Sequence, residues 1–340
     1  MATLGSRRVG KTDLKVSVLG FGGAPLGDLY ARLNEATAIE TVVAAAGAGV
    51  SLIDTSPHYG NGLSEHRIGT ALRSTDQSMI ISTKVGRVMT PARGPDWVHN
   101  NFVGGLPFDP HVDYSYDGAM RSFEHSLLRL GRDKIDILLI HDVDVWTHGA
   151  EMIEQRFEEA MNGAYRALDK LRSEGVVKAI GVGLNEADMC ARFAAAGDFD
   201  CMLLAGRYSL LEQGAVDTFL PIAEQNGISI LLGGVFNSGI LATGAIPGAK
   251  YNYRLAPPDV LARVKQIERV CVAHRIPIAA AAMQFPLAHP SIASVVLGAV
   301  SPDEVARNSA GFRRRIPQAF WDDLRNEGII RAEAPTPKGR

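Results

Sequence analysis

Short apolar runs alternate with amphipathic segments of helical length along the whole chain, and this alternation limits the fold more than any other feature. The runs at 16–21, 51–53, 79–83, 135–140, 177–182, 201–204, 228–232 and 294–297 read as buried strands. Segments 35–48, 64–73, 116–130, 152–173, 187–196, 213–225 and 259–274 have helical length and period. Gly49, Gly175 and Gly227 each close a helical segment just before the next run, where a left-handed cap is wanted. Eight such repeats predict an α/β chain closed into a (β/α)8 TIM barrel. An open doubly wound sheet would want GxGxxG after its first strand, and the chain reads Gly22-Gly23-Ala24-Pro25-Leu26-Gly27-Asp28 there.

Three stretches fall outside the alternation. Residues 4–15 carry a turn at Gly10-Lys11-Thr12 and predict an N-terminal hairpin plugging the barrel floor. The long loop 86–113, after the third strand, is rich in Gly, Pro and Asn and holds Trp97, His99 and Phe102, which suggests a substrate lid. The end of the chain, with Pro335, Pro337 and Gly339, reads as a loose tail over 332–340 behind one barrel domain over 1–331. Gly5 to Thr12 matches the Walker A pattern letter for letter, yet it lacks the preceding strand and following helix through which that motif holds phosphate.

Composition narrows the partners. At 46% hydrophobic and 21% charged residues the chain can bury a large core. A formal charge of −2 offers no field to a nucleic acid, and the cationic run Arg313 to Arg315 is short. Cys190, Cys201 and Cys271 have no CxxC spacing, which fits a reducing cytoplasm. No stretch approaches the ~20 apolar residues of a membrane span, and none forms a signal core. No HxxH or HExxH spacing suggests a metal. A small molecule is the expected partner, and a monomer and a homo-oligomer are both compatible with the sequence.

Polar groups at three consecutive strand ends carry the chemistry. Asp54 ends the second run with Tyr59 five residues on, Lys84 ends the third, and His141 ends the fourth. The carboxyl ends of barrel strands form the face where active sites are built. A tyrosine is a poor base at neutral pH, but a neighbouring ammonium eases its ionisation and a carboxylate keeps that ammonium in place. A histidine beside the reacting oxygen orients substrate and shares its proton. Hydride chemistry at an oxygenated carbon needs such a proton exchanger and a hydride carrier.

The pieces LGFGGAPLGD, LIDTSPHYGNGLSE, ISTKVG and IDILLIHDVD resemble the aldo-keto reductases in order and spacing, from about Arg7 to Arg314. The resemblance implies that Asp54, Tyr59, Lys84 and His141 form the catalytic tetrad under a nicotinamide lying across the barrel mouth, with Gly23 beside it. It also implies an amide contact from Asn185 and a ring at Tyr208 stacked on the nicotinamide. Residues 233–241 match a phosphate-holding loop, with Val235, Phe236, Asn237, Ser238 and Leu241 at the cofactor. Where NADPH-preferring members often carry Lys, Ser and Arg, this chain has Gly298, Ala299 and Glu304, so a carboxylate meets the ribose and NAD is expected, with Asn308 at the adenine.

The departures GVGLNE, AGRYSLLEQ and GGVFNSGIL resemble a sub-group of aldose 1-dehydrogenases acting on L-fucose, L-galactose or D-threo sugars, beside which pyridoxal 4-dehydrogenase belongs. Both substrates present a cyclic hemiacetal, so the implied reaction is hemiacetal to lactone, with Trp97, His99 and Phe102 lining the pocket around Tyr59 and His141. NADPH-dependent carbonyl reduction and a non-catalytic, cofactor-binding regulatory subunit are the alternatives.

Overall fold

The computed structural model describes residues 4–75, 78–92, 94 and 101–339. Eight parallel strands close a barrel in chain order: β1 Leu19–Gly22, β2 Leu52–Asp54, β3 Ile80–Val85, β4 Ile137–His141, β5 Ala179–Leu184, β6 Cys201–Ala205, β7 Ser229–Gly233 and β8 Ile292–Gly298. Because side chains alternate along a strand, Leu52, Leu139, Leu203 and Leu231 fill the interior, while Ile53, Leu138, Leu204 and Leu232 join the belt between sheet and helices. Asp54, Lys84 and His141 each lie two residues from an inward position or share its phase, so they enter the mouth from the inside.

The apolar run 16–21 is two strands and not one. Lys15–Ser17 pairs antiparallel with Ser6–Arg8, the chain bends at Val18, and Leu19–Gly22 alone enters the barrel. Val9 and Val16, both fully buried, cap the interior column from below, so the hairpin does plug the floor.

The helices Tyr116–Leu130 and Ala187–Ala196 match the sequence reading, while 152–173 is broken into Ile153–Glu159, a π-turn Ala160–Ala164 and Tyr165–Ser173. The wide turn makes room for a carbonyl from outside, because the Ala164 N–H donates to Tyr114 O over 2.8 Å and a Cβ on Gly163 would fall 2.3 Å from that oxygen.

Two expectations change. Within 86–113, Arg87–Pro91 pairs antiparallel with Phe108–Val112, so the base of the expected lid is a two-stranded arm and not an irregular loop. The tail is not loose. Ala334 is fully buried, the Arg325 guanidinium donates to the carbonyls of Arg331, Ala332 and Ala334, and the Gly339 N–H donates to Gln318. Carbonyls left without regular structure are thus satisfied by one arginine fork. No single helix among the described residues is long and apolar enough to cross a membrane.

Candidate active site

Strand register brings the four sequence-chosen groups together. Lys84 donates to Asp54 Oδ2 over 2.7 Å and to Thr55 O over 2.6 Å, and Ser82 donates to Asp54 Oδ1 over 2.8 Å. The ammonium also lies 4.8 Å from the centre of the Tyr59 ring, which in turn meets the His141 ring edge-on at 6.0 Å. Tyr59 sits in the turn after β2, where Gly27 and Gly60 let two loops touch: a Cβ on Gly27 would come within 2.5 Å of Tyr59 C. Gly60 has φ +65, open to glycine at little cost.

Electrostatics set the protonation states. Burial, then the Asp54 and Asp142 carboxylates, hold the Tyr59 phenol well above its usual range, and Arg87 opposes them. Lys84, whose ammonium is tied to Asp54 at hydrogen-bond distance, does not outweigh these. Burial, with Lys84, Arg87 and His58 nearby, keeps His141 neutral. His58, missed by the sequence reading, is pushed down to about 4 by burial and Arg87.

Tyr59 and His141 open on a cavity of about 620 Å³ whose walls include Phe102, Arg87, Asp142, Trp146 and Tyr253. Phe102 packs 5.6 Å from His58 and 6.0 Å from Tyr59, ring centre to ring centre. Trp97 and His99 lie outside the described residues. Arg87 pairs with Asp142 over 2.8 Å, and both were missed: one opens the arm, the other follows the histidine on β4, positions with no periodic signal.

A second cavity, about 650 Å³, gathers Phe236, Gly298, Glu304 and Asn308 at the other end of the mouth. A small pocket lined by Gly206, Gly234, Asn237 and Ser238 adjoins the first cavity, sharing Trp146, Asn185, Ala205, Asn252 and Tyr253 with it. Gly183 and Ala205, near the ends of β5 and β6, line the cavity that holds Tyr59 and His141. The loop after β7 has left-handed backbone at Gly234, Asn237, Ser238 and Gly239, a conformation that can turn successive N–H groups toward an anion such as a pyrophosphate.

Other cofactor expectations are adjusted. Tyr208 is fully buried against Phe285 at 5.3 Å, so its ring cannot stack on a ligand at the mouth. The next residue back, Arg207, is half-buried and donates to Asn185 O over 2.7 Å. Asn185 also donates to Asp144. Gly23 works from behind, its N–H donating to Asp54 O over 2.7 Å and a Cβ there falling 2.7 Å from Ser64 Oγ. The Val235 and Leu241 side chains are in the core. The Asn237 amide ties Ser209 to Gly206, which leaves only backbone at these three positions for a ligand.

The sequence profile described as the Aldo/keto reductase family matches residues 18–327. The chain belongs to this family. It is an NAD(P)-dependent oxidoreductase. Pyridoxal 4-dehydrogenase of Microbacterium luteolum is 41% identical over 95% of this chain and 97% of its own length. D-threo-aldose 1-dehydrogenase of a Pseudomonas species is 36% identical over 95% and 96%. Among solved structures, the holo form of an aldo-keto reductase from Bacillus halodurans shares the fold with TM-score 0.76, covering 97% of both chains at 24% identity.

Proposed function

We propose that this enzyme oxidises a cyclic hemiacetal to its lactone with NAD, in the cytoplasm, the substrate being an aldose such as L-fucose, L-galactose or a D-threo-aldose. One observation carries the reading: Tyr59 and neutral His141 face one cavity at 6.0 Å, with the Lys84–Asp54 pair fixed behind them. The bound nicotinamide would accept the hydride from the anomeric carbon. Tyr59 takes the proton of the anomeric hydroxyl as the carbon–oxygen double bond forms, and His141 holds that oxygen. Asp54 keeps Lys84 under the Tyr59 ring and so fixes its angle. Leu29, Phe102 and Leu203 supply apolar wall to the cavity, a surface that would limit water around the reacting carbon. Three buried free thiols are in keeping with a reducing compartment.

Pyridoxal in its hemiacetal form is a second reading. It is favoured by the 41% identity to a pyridoxal 4-dehydrogenase and by the aromatic wall of Phe102, Trp146 and Tyr253. The deciding experiment follows NAD and NADP reduction over a panel of aldoses and pyridoxal, with NMR of the earliest product. A lactone from one member supports the proposal. Turnover only of carbonyls with NADPH would replace it with a reductase, and cofactor binding without any turnover would replace it with a regulatory subunit.

A further inference from the structure

His141 Nδ1 has two partners. Ser56 Oγ lies 3.0 Å away and Arg87 Nη1 3.4 Å away. A guanidinium has only donors, so the contact with Arg87 is a hydrogen bond only when Nδ1 carries the lone pair. Ser56 is consistent with this, since its oxygen already accepts the His58 N–H over 3.0 Å and its own proton is free to point at Nδ1. The ring proton then belongs on Nε2, where Asp142 Oδ1, an acceptor, lies 3.4 Å away. Three neighbours therefore agree on one tautomer.

We propose that Arg87, held by Asp142, is a positioning residue that fixes His141 as the Nε2–H tautomer, so that the ring donates to the reacting oxygen, which takes the place of Asp142 Oδ1 as its acceptor. This rests on the hemiacetal reading for its catalytic consequence, though not for the tautomer. With the other tautomer the free nitrogen would present a lone pair to an oxygen that also carries lone pairs, and would repel what it has to hold.

The placement of Arg87 is built into the fold. Gly86, with φ +106, turns the chain out of β3, and a Cβ there would meet the Tyr114 ring at 2.5 Å. Tyr114 then donates its hydroxyl to His141 O over 2.8 Å, and Ser122 donates to Arg87 O over 3.1 Å. Both ends of the Arg87 to His141 contact are thus tied to the same helix-capped corner. Asp142 Oδ2 takes the guanidinium at 2.8 Å, which leaves the pair with no net charge at the cavity wall.

The test is a long-range proton–nitrogen correlation spectrum of histidine-labelled, cofactor-free protein at neutral pH, with His141 assigned by its loss in His141→Gln. The wild type should show Nε2 protonated and Nδ1 bare. Arg87→Met combined with Asp142→Asn removes both charges together, so neither is left buried alone, and should give a tautomer mixture. Its kcat should fall about 10- to 100-fold, the range seen when the partner orienting a ligating histidine is lost, with a smaller change in substrate KM. Arg87→Lys, which still only donates, should keep the tautomer and restore most of the rate. A wild-type proton on Nδ1, or an unchanged tautomer in the double variant, would overturn the proposal. Because the spectrum needs no substrate, failure of every hemiacetal in the panel would refute the reaction and leave the tautomer result standing.

Discussion

Lys84 and Asp54 meet at 2.7 Å inside the barrel mouth with their side chains only 1% and 4% exposed. Such a pair earns little net stability, since desolvation offsets most of the attraction, but it is costly to break from one side. Its geometric effect is larger. The ammonium lies against the face of the Tyr59 ring, 4.8 Å from its centre, and so fixes the ring where it can reach a ligand.

Lys84→Met should therefore destabilise the protein by about 3–5 kcal/mol, because the Asp54 carboxylate is left buried without its partner. Lys84→Met with Asp54→Asn should recover most of that loss, since no charge remains to be buried. Urea unfolding of the two single variants and the double one measures the coupling. Additive losses would show that the pair does not act as a unit.

Tyr59→Phe should bind cofactor as the wild type does and lose about 10²- to 10⁴-fold in kcat, the usual contribution of an acid–base group. The sign of the pH dependence follows from the phenol being held above its usual range. Oxidation uses the deprotonated form as base, so its rate should climb with pH through the alkaline range, while reduction uses the neutral phenol and should gain nothing there. Initial rates in both directions against pH check this. An oxidation rate that falls on the alkaline side while the protein stays folded would count against Tyr59 as the base.

His58 gives a stability prediction in the acid range. Its folded value is about 4, against 6.5 for the unconstrained side chain. Between these values the unfolded chain binds the extra proton, so the stability present above about pH 6.5 is lost as pH falls toward 4. His58→Gln should flatten the melting temperature across that window. Equal slopes in variant and wild type would assign the loss to other groups.

How far the site could be read from sequence depended on whether a residue obeyed a period. Asp54, Lys84 and His141 follow apolar runs at the carboxyl ends of consecutive strands, and parallel strand order alone brings such positions to one mouth. Arg87 and Asp142 lie one step past that signal. Arg87 belongs to an arm whose pairing with 108–112 depends on a partner more than twenty residues away, and a segment rich in Gly, Pro and Asn does not mark that pairing. Tyr208 failed for another reason: nothing in an aromatic followed by serine and two leucines tells whether the ring faces the mouth or the core, and packing on Phe285 decides it. The run 16–21 was read as one strand because a short, mostly apolar run carries no mark of a bend.

The proposed preference for NAD rests on Glu304, which has two separable roles in the structure. Its carboxylate faces the distal cavity beside Gly298 and Asn308, and it also accepts the Val300 N–H over 2.9 Å, which caps the turn into the helix Pro302–Arg313. Replacing it with arginine would remove the cap together with the charge and confuse the two effects. Ala299, a natural companion for substitution from sequence, is 3% exposed and does not line the cavity, so a serine there has no route to a phosphate. Glu304→Gln separates the two roles: the amide oxygen can still accept from Val300, and only the charge is lost. A 2′-phosphate in that cavity would meet a like charge from Glu304, partly offset by Arg307, whose guanidinium lies 3.7 Å from the same carboxylate. Once the carboxylate is neutral, Arg307 is freed to turn toward the phosphate. The wild type should therefore show the higher kcat/KM with NAD, and Glu304→Gln should narrow the ratio by raising the NADP value with little change in melting temperature. A wild type that prefers NADP would refute this reading of the pocket, and an unchanged ratio in the variant would show that the charge of Glu304 is not what discriminates.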